Sequence, residues 1–235
     1  MFVCYQLFWE RWPILFEVVI LRVIPELTLD EYVFLCSLCS LEKRERINRF
    51  YSFGDAQNSL IGDVLVRVEL CRITGLSNRE LAFSVNSHDK PFLTNDSQVH
   101  YNISHANQYI TCVISDVSVG IDIETVKPFD VKIVERFFTP DEQTYVLSSQ
   151  GDMRNKRFFE VWTKKESRIK WAGRGLFESV SSFSVLNSLE QSEIFYHCIY
   201  DNGEIIGHVC SSKKEKPSIK IIDTPILLQK ASLLK

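Results

Sequence analysis

The sequence has no apolar run of the ~18 residues that a membrane span requires. The apolar stretch near its start is broken by Glu10, Arg11, Glu17 and Arg22, so neither a span nor a secretory leader is expected there. A strong charge of either sign is also missing. Lys and Arg number 27 against 30 Asp and Glu, a net charge of −3, which argues against the basic surface that nucleic-acid binding uses. A paired cysteine framework is absent too: the seven cysteines are odd in number and irregularly spaced. Cys36-x-x-Cys39 has no second pair near it, so a zinc site is not expected and an apolar helix face is the simpler reading. Reduced thiols fit a cytoplasmic protein without membrane or nucleic-acid partners. There is no strict internal repeat. What remains is 235 residues, 45% hydrophobic and 24% charged, enough for one large domain or two small ones with a real core.

Along the chain the periodicity predicts an α+β protein. Phe2 to Phe8 reads as a strand and Pro13 to Val23 as a helix with proline in its first turn. Leu29 to Cys39 reads as a second helix. Ser40 caps a third, Leu41 to Phe50, whose Lys43, Arg44, Arg46 and Arg49 by themselves describe a solvated face. Asp55 caps a long helix, Ala56 to Ile73, with a core stripe of Leu60, Ile61, Val64, Leu65 and Val68 and an end at Gly75. Ala82 to Val85 is strand-like. Val99 to Ser104 and Tyr109 to Ser115 form a hairpin with its turn at His105 to Gln108. Val119 to Glu124 follows as a central strand, then a short helix, Val131 to Phe138. Thr139-Pro140-Asp141-Glu142 starts another helix as a capping box with proline at N1. Asn155 to Ala172 is a long helix ended by Gly173 and Gly175. Phe183 to Leu186, Ile194 to Tyr200, Glu204 to Cys210 and Ile219 to Ile222 read as strands, with a hairpin turn at Asn202-Gly203.

Two segments carry chemistry. In Val119 to Glu124 the side chains of Asp122 and Glu124 project from one face of the strand. Neighbouring carboxylates repel, and an oxygen-only pair suits a hard cation such as Mg²⁺, which keeps waters and also takes phosphate oxygens. In the long helix Glu166 and Lys170 stand one turn apart and can divide proton removal from anion neutralisation. Taken singly, each has a plain alternative: a solvated strand face, or an i,i+4 helix pair worth about 0.3–0.5 kcal/mol.

In combination, Gly120-Ile121-Asp122 followed by Trp162-Thr163-Lys164-Lys165-Glu166-Ser167-Arg168-Ile169-Lys170 resembles the signature pair of 4′-phosphopantetheinyl transferases, closest to their surfactin-synthetase-activating, Sfp-type branch. The resemblance covers nearly the whole chain. It includes Lys43-Arg44-Glu45-Arg46, Gly62 to Arg67, Asn102-Ile103-Ser104-His105, Arg136-Phe137-Phe138 and Gly173-Arg174-Gly175-Leu176. It implies two similar α/β subdomains in pseudo-twofold relation, residues 1–117 on the coenzyme A side and 118–235 with the metal and catalytic residues, and an active site in the cleft between them. The implied reaction moves the 4′-phosphopantetheine arm of coenzyme A onto a serine of an apo acyl or peptidyl carrier protein, with Mg²⁺, releasing 3′,5′-ADP. A relative that only binds coenzyme A or a carrier, and a Mg²⁺-dependent phosphohydrolase, are the alternatives. A monomer is expected.

The resemblance also assigns roles. Asp122, Glu124 and Glu142 would hold the metal, although Glu142 is equally explained as the capping-box carboxylate. Lys43 and Arg46 would meet the 3′-phosphate, and Ser59, Lys90, Ser104, His105 and Lys170 would complete coenzyme A binding. Glu166, Lys170 and His105 would be catalytic. Two departures stand out: Asp89 replaces the glycine of a Gly-Lys-Pro turn, and Gln57 and Asn58 precede Ser59 where relatives carry basic or imidazole groups. His88, His100, His197 and His208 match nothing.

Overall fold

In the computed structural model, which describes residues 15–174, 180–186 and 193–234, Phe16–Arg22 is a strand, β1, where the apolar run reads as a helix. The reason is burial on both faces. Val19 and Leu21 enter one core, while Phe16, Val18 and Ile20 enter another. A strand covered on both sides is a continuous apolar run with no alternation to reveal it. The strand expected at Phe2 to Phe8 and the Gly175-Leu176 part of the signature lie outside the described residues.

The remaining strands are β2 (Phe83–Val85), β3 (Pro91–Leu93), β4 (His100–Ala106), β5 (Tyr109–Ser115), β6 (Val119–Thr125), β7 (Phe195–Asp201), β8 (Ile205–Ser211) and β9 (Ser218–Asp223). One sheet runs β4-β5-β1-β9, a second runs β6-β8-β7, and β2 pairs with β3. β6 is therefore an edge strand of its sheet and not a central one. The β4–β5 turn is tighter than the sequence suggests, so His105 lies within β4. Phe183 to Leu186 forms no strand. It follows a 3-10 turn at Val180–Ser182, and the amide of Val185 is taken by a glutamate side chain.

The helices are α1 (Leu29–Leu38), α2 (Leu41–Ile47), α3 (Phe53–Thr74), α4 (Val131–Phe137), α5 (Pro140–Leu147), α6 (Gly151–Ala172) and α7 (Thr224–Ala231). Ser40 caps α2 as read, but α3 is capped by Ser52, a turn-forming hydroxyl three residues ahead of Asp55. Gly75 ends α3 at φ 74°, a left-handed backbone that glycine adopts at no steric cost.

Three cores result. α3 packs Leu60, Ile61, Val64 and Leu65 on one face of the first sheet. The other face meets the second sheet through Val18, Ile20, Ile121, Ile123 and Val209. A third core gathers Phe158, Val161 and Ile169 of α6 with Val134 and Phe138. A boundary at residues 117/118 assigns the last strand and helix to the second half. Instead β9 pairs in parallel with β1, and Ile222, Leu227 and Ala231 join the first core. No helix among the described residues is long and apolar enough to cross a membrane.

Candidate active site

The site begins with a close approach. A Cβ on Gly120 would overlap the backbone of α6 at the Ser167 carbonyl and the Trp171 amide. Only glycine lets the helix lie directly on this face of β6. Ile121 and Ile123 point away into the inter-sheet core, so Gly120, Asp122 and Glu124 share the face that α6 covers. The helix end is held there as well. The Trp171 carbonyl accepts from Ser118 Oγ at 2.8 Å and from Lys90 Nζ at 3.3 Å, and the Gly173 carbonyl accepts from Asn86 at 2.8 Å.

With the backbones this close, three elements meet at Asp122. Its Oδ1 accepts from Lys170 Nζ of α6 at 2.7 Å and from Ser104 Oγ of β4 at 2.9 Å, and Lys170 also donates to Ser104 at 3.1 Å. Asp122 Oδ2 is buried and has no partner. Glu124 makes no ion pair with a described residue. Burial first, then the Asp122 charge, push its carboxyl up to about 7. Burial and Asp122 also raise Glu166, against the pull of Lys170. Asp122, Glu124 and Glu166 thus form one electrostatically coupled acidic group with Lys170, and at Glu124 also Lys127, against it.

This donor set fits a hard divalent cation. An orphaned buried carboxylate oxygen beside a carboxyl whose ionised form is disfavoured both call for positive charge. Among the described residues no three His, Cys, Asp or Glu side chains form a ready cage for an ion. Mg²⁺ takes one or two carboxylates and fills its shell with water and phosphate.

A second group lies at the start of α3. Lys43 Nζ of α2 is 3.0 Å from Ser59 Oγ and 4.0 Å from Asp63, and burial holds its pKa below the usual lysine value. Arg46 is exposed on the same helix. His105, within β4, feels Lys170 and Asp122 and also Asp55 of α3. Burial and the Lys170 charge keep it below its ordinary value. Gln57 and Asn58 bind backbone, at Leu27 N and Asn107 O. Lys90 is not free for a phosphate in the way the sequence suggests: it donates to the Val119 and Trp171 carbonyls at 3.0 and 3.3 Å, and burial lowers its pKa to about 8. Asp89 takes the glycine-like backbone of its turn, at φ 60°.

Glu142 is a correction. It is fully buried and does not join Asp122 and Glu124. Its Oε2 accepts from the Thr139 amide at 2.9 Å and from Lys165 Nζ at 2.8 Å, and its Oε1 accepts from the Val185 amide at 2.8 Å. Of the two roles open in the sequence, the capping box is the one the geometry fills. Lys165, missed in the sequence, completes it by also donating to the Val180 and Phe183 carbonyls at 2.7 and 2.6 Å. A signal existed: Lys165 falls four residues from both Val161 and Ile169, on the buried stripe of α6.

Comparison with known proteins gives the same direction over both halves. A model described as 4′-phosphopantetheinyl transferase, N-terminal, matches residues 26–117, and one for the 4′-phosphopantetheinyl transferase superfamily matches residues 118–219. The chain is 34% identical over 201 residues to the 4′-phosphopantetheinyl transferase gsp of Aneurinibacillus migulanus, covering 83% of this chain and 84% of that one. It is 38% identical over 159 residues to the 4′-phosphopantetheinyl transferase Sfp of Bacillus subtilis strain 168, covering 68% and 71%. It is 26% identical over 220 residues to the L-aminoadipate-semialdehyde dehydrogenase-phosphopantetheinyl transferase of Saccharomyces cerevisiae, covering 83% and 80%.

Proposed function

The chain belongs to the Sfp-type 4′-phosphopantetheinyl transferases, and from that premise we propose that the Asp122, Glu124, Glu166 and Lys170 group is where it transfers the phosphopantetheine arm of coenzyme A to a carrier-protein serine. The observation that carries this reading is the buried, unpartnered oxygen of Asp122 beside Glu124, facing a lysine and a second glutamate from α6. Phosphoryl transfer asks mainly for positioning and charge neutralisation, which this group can supply.

Asp122 and Glu124 would hold Mg²⁺. When bound, the ion would neutralise charge on the pyrophosphate oxygens. Lys170 steadies the same region from α6, and His105 meets an approaching phosphate by gaining a proton. Lys43, Arg46 and Ser59 bind the 3′-phosphate end of coenzyme A. Glu166 accepts the serine proton; its raised pKa makes it a better base at neutral pH than an ordinary glutamate. The serine oxygen bonds to the pantetheine-side phosphorus, the bond to the bridging oxygen breaks, and 3′,5′-ADP leaves with that oxygen. In this reading residues 1–117 bring the coenzyme A contacts and residues from 118 on bring the acids, and the reaction takes place in a cleft between them.

The test is incubation with coenzyme A, Mg²⁺ and a panel of apo carrier proteins, read by mass. The carrier should gain one phosphopantetheine arm at its serine. Turnover of coenzyme A with no carrier modified would overturn the transfer reading.

A further inference from the structure

β6 is an edge strand, and on its free side it meets β4 without a backbone ladder. Two side chains of β4 bridge the gap. Asn102 Oδ1 accepts from the Ile121 amide at 3.0 Å, and Ser104 Oγ donates to Asp122 at 2.9 Å. Residues 102 and 104 lie on one face of β4, and 121 and 122 are consecutive in β6, so the bonds act as a pair of stitches one residue apart. Asn102 is itself buried. Because its oxygen must face an N–H donor, its NH₂ must face the other way. Asn102 lines a cavity of about 220 Å³ together with Lys90, Ile169, Lys170 and Gly173.

From this geometry we infer that Asn102 is a positioning residue for the transfer reaction. By holding the backbone of Ile121 it fixes where Asp122 presents its unpartnered oxygen, and it does so across the gap between the two sheets. The Ser104 bond alone cannot do this, since it reaches only the side chain of Asp122 and leaves the Ile121 amide without an acceptor. The inference rests on the assignment of Asp122 to the metal, and its test keeps the two apart.

The experiment titrates the apo protein with Mn²⁺ and follows free Mn²⁺ by electron paramagnetic resonance, with thermal unfolding measured alongside. The wild-type chain should bind Mn²⁺ and Asp122→Ala should not. Asn102→Leu keeps the branched shape but removes the acceptor. It should weaken Mn²⁺ binding by about 10-fold, the usual scale for losing a group that orients a metal ligand, while the KM for coenzyme A stays near wild type and kcat falls. If Asn102→Leu does not fold, Asn102→Ser should shift Mn²⁺ affinity in the same direction by at least about twofold. Wild-type Mn²⁺ affinity in a folded Asn102 variant, with only the melting temperature lowered, would make the residue merely structural and overturn the inference. No Mn²⁺ binding by the wild-type chain would overturn the metal assignment, and the inference with it.

Discussion

Glu124 is buried beside the Asp122 carboxylate, and this has a signature in pH. The folded pKa of Glu124 is raised to about 7 by burial and by Asp122, above the ordinary value of about 4.3. A raised carboxyl stabilises the fold while protonated. Its contribution is present below the unfolded value and is lost as pH rises through the folded one. Without metal the chain should therefore lose stability between about pH 4.5 and pH 7 through this group. Added Mg²⁺ needs the carboxylate, so the rise in Tm that it causes should be larger at about pH 8 than at about pH 5.5. Differential scanning calorimetry with and without Mg²⁺ checks this, and Glu124→Gln should reduce the pH dependence to the share that Glu166 keeps. An equal Mg²⁺ shift at both pH values would contradict the assignment. Asp122→Ala should stay folded and lose Mg²⁺-dependent transfer; a near-normal rate at ordinary Mg²⁺ would remove Asp122 from the site.

Among the elements, α6 organises the molecule, and two residues decide where it lies. Gly120 lets it touch β6. Gly120→Ala should destabilise the protein by about 3 kcal/mol or more, at the upper end of overpacking costs, and should abolish activity by displacing Glu166 and Lys170. Urea unfolding measures the first and transfer assays the second. Lys165 and Glu142 pin the opposite side of the helix to α5 and to residues 180–185. Lys165→Met strands a buried carboxylate and should cost about 3–5 kcal/mol. Glu142→Gln should lower stability too, yet leave Mn²⁺ affinity at the wild-type level, and a lost Mn²⁺ site in this variant would restore Glu142 to the metal. At this scale the sequence shows well what depends on local pattern. The Thr139 capping box, the Gly75 stop and the Asp122/Glu124 face are all legible, because caps and strand alternation are written in neighbouring residues. It fails at β1, where burial on both faces erases the period, and it reads β9 as a strand without its partner, which lies some two hundred residues away in the chain. It also leaves Lys165 and Asn102 unread, because their partners come from other elements.

At the scale of the whole molecule, the proposed site is assembled from both sheets. Ser104, His105 and Asn102 come from the first, Asp122 and Glu124 from the second, and Glu166 and Lys170 from the helix laid across the second. The basic end at Lys43 lies on Ser59 of α3, and His105 feels Asp55 of the same helix as well as Lys170 and Asp122. Dephospho-coenzyme A should accordingly be a poorer substrate than coenzyme A, chiefly through KM, whereas acyl-coenzyme A should serve. Equal kcat/KM for the dephospho form would take the α2 residues out of the binding site. The central claim, that the acids between β6 and α6 carry the chemistry as well as the binding, is tested most directly at Glu166. Glu166→Gln keeps shape and hydrogen-bonding capacity but cannot take a proton. Coenzyme A affinity by calorimetry should change little while kcat falls by about 10²–10⁴. A kcat within about threefold of wild type, less than about 0.7 kcal/mol of barrier, would contradict it.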